Sequence, residues 1–444
     1  MSERPELVRS IGRWSLAALV LNGIIGSGVF VQPGTVAGAL GWSGMIAWVL
    51  AAAFTAAFIF CFAEVASRFS GAGGAYLYSQ IAFGRFAGIQ MGWMNYFVRA
   101  ISAAVQANLF TTYLAEFWPW AATATGNLLL TTGLIGILVS INIRSVVSGT
   151  RVSNAFAIVK LAPLLLFGAL GIVWLALGKA APPAVASDPS ASGWLGILLL
   201  LMFAYGGFES ALIPLAEAKD PRRDAPFALM LGLGLVTLIY LAAQVTVLAT
   251  LTDPTATNRP LAASARVMLG PAGAIIMTTV AVLSVTGWLA SNMLNVPRLT
   301  MAMADQNQLP RLFARLHPRF RTPWFSILFF GAFSLFLALQ AGLLQNISLA
   351  AVSRLFTYGL VCAALPRLRQ LEKNPTSEVP AARFKAPGGV GLAMVAVLVA
   401  LVLGSRMNLR EAITLAGVVS VATIHWAVLG YRGKTVAHPE RGGS

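Results

Sequence analysis

The stretch NGIIGSGVF at residues 22–30 interrupts a long apolar segment with three glycines, and FAYGGFE at residues 203–209 interrupts another with two. Each glycine lowers the stability of a helix by about 1 kcal/mol relative to alanine. Inside a bilayer, unwound backbone is tolerated only where it is buried in protein or lines a cavity. Two breaks at corresponding points of two halves therefore predict a binding site near the middle of a membrane.

The composition is that of a polytopic membrane protein. Of 444 residues, 57% are hydrophobic and only 10% are charged, and the mean hydropathy is +0.77, whereas soluble domains carry about 25% charged residues. We predict an all-α fold with twelve transmembrane helices, most of about 20 residues or more. The predicted spans are 14–34, 41–63, 86–116, 125–142, 153–177, 194–216, 225–250, 271–304, 323–341, 345–365, 389–405 and 411–431.

The net charge of +16 indicates membrane orientation rather than nucleic-acid binding. When both termini are placed in the cytoplasm, most of the 31 Lys and Arg residues fall in cytoplasmic segments, which is the positive-inside bias of membrane proteins. The polar N-terminus shows no cleavable signal pattern. We therefore expect a multi-pass protein of the cell (inner) membrane with cytoplasmic termini and no nucleic-acid partner.

The two breaks also predict the domain organisation. Gly26 and Gly206 are 180 residues apart, and each opens a set of five predicted helices. An odd number of helices per half makes the two halves inverted with respect to the membrane. The predicted units are an N-terminal cytoplasmic segment, two repeats, a final helix pair and a cytoplasmic tail, at residues 1–13, 14–180, 190–370, 389–431 and 432–444.

The first break offers two opposite electrical poles. The amides of Ser27 and Gly28 begin the second half-helix, whose positive dipole end attracts a carboxylate. The carbonyls of residues 22–25 end the first half-helix and attract a cation. A zwitterionic amino acid needs both poles. Alternatively, these glycines only permit close helix packing; the matching second break favours the binding interpretation.

Several motifs resemble those of one family. GIIGSGVF at residues 23–30 resembles the first-helix signature of the amino acid–polyamine–organocation (APC) superfamily, which includes bacterial amino acid permeases, and FAYGGFE at residues 203–209 resembles its sixth helix. EAKDPRRDAP at residues 217–226 and GGAYLY at residues 73–78 are similar to two of its loop motifs. The resemblance covers about residues 14–370 and implies a LeuT-like 5+5 inverted repeat with helices 1 and 6 broken at the midplane.

The resemblance also implies a substrate site. The substrate carboxylate would lie on the Ser27 and Gly28 amides, and its ammonium near backbone carbonyls of both breaks. Phe203 matches an aromatic gate of related exchangers, and Trp288 aligns with a site-lining tryptophan; both are equally compatible with core or lipid packing. The predicted substrate-binding residues are Ile24, Gly26, Ser27, Gly28, Phe203, Ala204, Gly206 and Trp288.

Charged residues inside predicted spans supply the coupling candidates, because each costs at least ~2.5 kcal/mol at the membrane centre. Lys160 matches a lysine that sodium-independent relatives carry in place of a bound ion. Its ammonium either lies between helix-one carbonyls and hydroxyls such as Ser284, where it could load and release a proton, or snorkels to the interface. Glu209 either supports a gate through backbone amides or carries a proton. Arg99 could pair with Glu209, a substrate or backbone carbonyls, and Arg354 could hold a gate closed. The predicted coupling residues are Lys160, Ser284 and Glu209.

The predicted function is sodium-independent secondary transport of amino acids by proton symport or substrate exchange. Neutral L-amino acids are favoured, with cationic amino acids or polyamines as the alternative and a non-transporting sensor as a further one. A channel would show flux that grows linearly with substrate. The sequence shows no Walker motif, metal cluster or cofactor motif, so we expect neither an enzyme nor an ATP-driven pump. We expect a monomer or homodimer in the bilayer, with protons as a candidate coupling ion.

Overall fold

The computed structural model describes residues 11–69, 74–144, 149–181, 190–305, 309–377 and 379–435. These residues form α-helices and short 3₁₀ segments, with no strand beyond one isolated bridge between Ile11 and Ala218. The predicted N-terminal segment and tail lie largely outside the described residues. The α-helices, α1 to α14 in order, are Arg13–Ile24, Gly28–Leu40, Gly44–Ala66, Gly74–Phe83, Arg85–Leu114, Ala124–Arg144, Gly149–Ala176, Ala191–Ala204, Pro221–Thr250, Pro260–Asp305, Trp324–Gln340, Leu343–Glu372, Gly389–Gly404 and Leu409–Thr435.

The chain is a multi-pass membrane protein by the length and composition of its helices. Within the described residues, seven segments are long and apolar enough to cross a membrane. Three shorter apolar helical stretches, Lys160–Ala176, Trp324–Gln340 and Gly389–Gly404, accompany them. Their outward faces carry many exposed leucine, isoleucine and valine side chains, as lipid contact requires.

The helix breaks occur where the glycines predict them. The first helix ends at Ile24 and the chain resumes as α2 at Gly28. The second break separates α8, which ends at Ala204, from a 3₁₀ segment at Phe208–Glu217. The predicted continuation of this span to residue 216 is therefore a 3₁₀ helix rather than an α-helix.

Several helix bounds differ from the sequence prediction. The predicted span 271–304 belongs to α10, which begins at Pro260 and bends at Gly270, where a positive φ of 69° interrupts the helix. Glycine tolerates this conformation without steric strain. The helix α12 continues to Glu372, seven residues beyond the predicted end, and α4 was not among the predicted helices.

The helix α5 is the centre of the packing and carries polar residues into it. It lies against α10, α11 and α12, while α1 lies against α7, α9 and the 3₁₀ segment. Most side chains of α5 are buried, including Asn95, Arg99, Ser102 and Gln106. Because its polar face points into the protein, α5 brings ionisable and amide groups beside the two breaks.

A buried ion-pair cluster joins α3, α12 and the segment after α12. Glu64 Oε1 and Oε2 accept from Arg369 at 2.7 and 2.6 Å, and Glu64 also pairs with Arg68 at 3.1 Å. Arg68 additionally contacts Glu372 at 2.5 Å. The backbone amide of Ala386 donates to Glu64 at 2.8 Å. Glu64 therefore pairs with two arginines, one on its own helix and one on α12.

Candidate functional site

The two breaks lie directly against each other. A Cβ on Gly23 would lie 2.7 Å from the Gly207 carbonyl oxygen, and one on Gly28 would lie 2.7 Å from the Cα of Ala204. Gly207 itself has a φ of +112°, a conformation that side-chain-bearing residues rarely adopt. The glycines therefore allow backbone-to-backbone contact between stretches about 180 residues apart.

Lys160 of α7 binds the end of α1. Its ammonium donates to Asn22 Oδ1 at 2.7 Å and to the Ile25 carbonyl at 3.2 Å, and the residue is 1% exposed. A fully buried lysine has not snorkelled to an interface. Ser284, the hydroxyl proposed as a partner from the sequence, is buried, and its Oγ makes no hydrogen bond with any described residue.

Arg354 of α12 occupies the end of α8. Its Nη1 donates to the Phe203 carbonyl at 2.8 Å, and its guanidinium carbon lies 5.0 Å from the centre of the Phe203 ring. A Cβ on Gly206 would overlap this guanidinium, so glycine is required for the approach. Tyr240 of α9 donates to the Ala204 carbonyl at 2.8 Å. Protein donors therefore satisfy the negative end of this half-helix.

Glu209 stabilises the backbone conformation of the second break. Its Oε2 accepts from the Gly207 amide at 2.9 Å and from the Tyr358 hydroxyl at 2.8 Å. Its other oxygen lies 3.4 Å from Nη2 of Arg99, which is a buried ion pair. Arg99 of α5 thus reaches the second break, as one of the sequence-based alternatives suggested.

A small cavity lies beside the breaks. Its volume is about 30 Å³, enough for one or two water molecules. Arg99, Asn22 and Trp288 contribute to its wall, and the Trp288 indole donates to the Gly23 carbonyl at 3.1 Å. A molecule as large as an amino acid enters only if the helices move apart. The lining residues are Leu19, Asn22, Gly23, Arg99, Ser210, Ala211, Trp288, Ser291, Asn292, Asn295 and Val296.

The structure gathers most of the predicted site residues at the breaks. Ile24 offers its carbonyl to the Gly26 amide and, at 3.4 Å, to the Tyr240 hydroxyl. Ser27 is fully buried, and its hydroxyl has no partner among the described residues. Gly26 faces the Gln106 side chain, since a Cβ there would lie 2.5 Å from its amide nitrogen.

Three residues beside the breaks were missed from the sequence: Gln106, Tyr240 and Tyr358. Each is a polar side chain within a buried helix face, and each contacts a break residue. Their polarity within long helices was a visible signal. The sequence did not identify their partners, because these lie 36 to 216 residues away along the chain.

The broken, mutually packed helices and the buried charges around them define a class of protein, the multi-pass membrane transporters. A family model described as amino acid permease matches residues 11–422. The chain therefore belongs to the amino acid permease family, within the superfamily that the sequence motifs resemble.

Relatives of known description agree with this family. The serine/threonine exchanger SteT of Bacillus subtilis is 30% identical over 355 residues, covering 78% of this chain and 79% of the relative. The methylthioribose transporter of the same organism is 29% identical, covering 82% and 80%. The large neutral amino acids transporter small subunit 2 of Oryctolagus cuniculus is 28% identical, covering 82% and 70%.

Proposed function

We propose that this protein is a sodium-independent secondary transporter of amino acids that works by proton symport or substrate exchange. Family membership supports amino acid transport. The observation that carries the finer proposal is the Lys160 ammonium on the Ile25 carbonyl. A fixed ammonium at the negative end of a half-helix supplies the positive charge that a bound sodium ion would otherwise provide.

The architecture within this proposal is a LeuT-like 5+5 inverted repeat of twelve spans in the cell (inner) membrane, with cytoplasmic termini, acting as a monomer or homodimer. Two facing breaks about 180 residues apart support the repeat, since transporters of this design bind substrate where discontinuous helices meet. Breaks of this kind also suit alternating access. The two halves can move apart on either side without unfolding a regular helix.

The substrate's α-carboxylate lies on the Ser27 and Gly28 amides at the positive end of α2 in this proposal. Three basic side chains lie beside the breaks: Lys160, Arg99 and Arg354. They would repel a cationic ligand, because like charges repel in a low-dielectric interior. This charge favours neutral amino acids over cationic amino acids and polyamines, in agreement with the preference inferred from the sequence.

Uptake into proteoliposomes tests the proposal. We expect saturable, stereoselective uptake of L-amino acids without sodium, and a much weaker competition by amino acid amides, which lack the carboxylate. Uptake driven by an inward proton gradient would identify a symporter, and uptake only with preloaded substrate would identify an exchanger. Binding without uptake in every condition would identify a sensor and refute the transport proposal.

A further inference from the structure

The ionisable groups around the two breaks leave an excess of positive charge. Arg99, Arg354 and Lys160 are each 1 or 2% exposed, and Glu209, at 7%, is the one carboxylate that contacts them among the described residues. The two arginines remain charged under all ordinary conditions. A buried charge without a counter-ion is strongly unfavourable. Binding of an anionic ligand would therefore neutralise part of this excess positive charge.

The backbone carbonyls near the breaks that could bind a cation already accept hydrogen bonds from protein donors. The Phe203 carbonyl accepts from Arg354, the Ala204 carbonyl from Tyr240, and the Ile25 carbonyl from Lys160. These carbonyls end α1 and α8. A ligand with an additional cationic group would have to displace protein donors, two of which are themselves cations.

Unused hydrogen-bond donors remain at the same place. Nε of Arg99 and Nε of Arg354 are buried and make no hydrogen bond with any described residue, whereas Nη2 of Arg99 pairs with Glu209 at 3.4 Å. Buried donors of this kind normally have partners. Arg99 also lines the cavity beside Asn22 and Trp288, so its guanidinium faces the space that a substrate would enlarge.

We propose that Arg99 binds a second carboxylate, and that the substrates of this transporter are acidic amino acids. The α-carboxylate occupies the α2 amides, and the side-chain carboxylate lies on the Arg99 guanidinium, whose geometry suits a carboxylate. Such a ligand carries a net charge of −1 and reduces the positive excess. This proposal rests on the proposed amino acid transport and replaces its preference for neutral substrates with one for acidic substrates.

The test compares substrates that differ only in one charge. Purified full-length protein in proteoliposomes takes up labelled glutamate or aspartate, with glutamine and asparagine as the matched neutral pair. We expect a specificity constant for the acidic member about 10-fold or more above that of its amide, since one charge-assisted hydrogen bond contributes about 1.5–3 kcal/mol. In thermal-shift measurements, the acidic member should stabilise the wild-type protein more than its amide does.

Variants separate recognition from folding. Arg99→Gln should lower the ratio of the specificity constants, acidic member over amide, to about one, because the partner of the second carboxylate is lost. Arg99→Lys, which retains the charge, should restore much of the preference. The control is Arg410→Gln, an exposed arginine that contacts Gln345 and the Gln340 carbonyl away from the breaks, and it should behave as wild type.

The outcomes distinguish the two proposals. Uptake of the amides without competition by the acidic amino acids overturns the second-carboxylate site and leaves amino acid transport standing. Failure of every amino acid to be transported overturns both. An equal loss of acidic and neutral uptake in Arg99→Gln, with the Arg99→Lys variant no better, assigns Arg99 a structural role and overturns the proposal.

Discussion

Replacing Lys160 with Met tests the link between α7 and the first break. The substitution keeps a long flexible side chain but removes the donor to Asn22 Oδ1 and to the Ile25 carbonyl, at 2.7 and 3.2 Å. Each hydrogen bond from a charged donor contributes about 1.5–3 kcal/mol. Loss of both shifts the balance between conformations by roughly 3 kcal/mol, so we expect uptake to fall by about 100-fold.

The fold itself should survive this change. Burying an ammonium carries a large desolvation penalty that Met does not, and this relief offsets part of the lost bonding. The assay is initial-rate uptake in proteoliposomes, normalised to the amount of inserted protein. The matched control is Lys179→Met, which alters an exposed lysine just beyond the same helix. Wild-type uptake by Lys160→Met, with unchanged response to a proton gradient, would refute the proposed role.

Two further substitutions probe the contact of the breaks and the ion-pair cluster. In Gly28→Ala, the added Cβ would lie 2.7 Å from a backbone atom of the second break, so uptake should fall about 10-fold or more. The control is Gly133→Ala, where the added Cβ meets open space. This substitution should stabilise the helix by up to about 1 kcal/mol. Glu64→Gln should lower the free energy of unfolding by about 3 kcal/mol, because it removes the carboxylate charge that pairs with the buried Arg68. Asp220→Asn, which affects an exposed pair, should cost less than about 1 kcal/mol. Thermal unfolding in detergent measures the stability of Glu64→Gln and of Asp220→Asn. Equal shifts in the two variants would contradict the larger contribution of the Glu64 ion pairs.

The small cavity sets a requirement for the proposed transport cycle. A volume of about 30 Å³ beside the breaks holds one or two water molecules, and the backbones of the two breaks are in direct contact. Substrate binding must therefore be coupled to separation of the half-helices. Lys160 and Arg354 hold opposite breaks, and this separation must rearrange their bonds.

The sequence by itself determined the local features of this protein. Apolar segments of membrane-spanning length, the glycines at 23–28 and 206–207, and the placement of Lys160 in a span follow from composition and spacing alone. Hydropathy and the low helix propensity of glycine act within a few residues of each position. They predicted both breaks correctly, and the motifs around them predicted the family.

The tertiary structure decided which groups meet. Arg354 lies on the Phe203 carbonyl, 151 residues away, and Arg369 on Glu64, 305 residues away, while Ser284 makes no bond with Lys160. The 3₁₀ form of Phe208–Glu217 and the kink at Gly270 also became visible only there. The physical reason is that buried charges take partners according to how helices distant in sequence pack, and no local pattern specifies that packing.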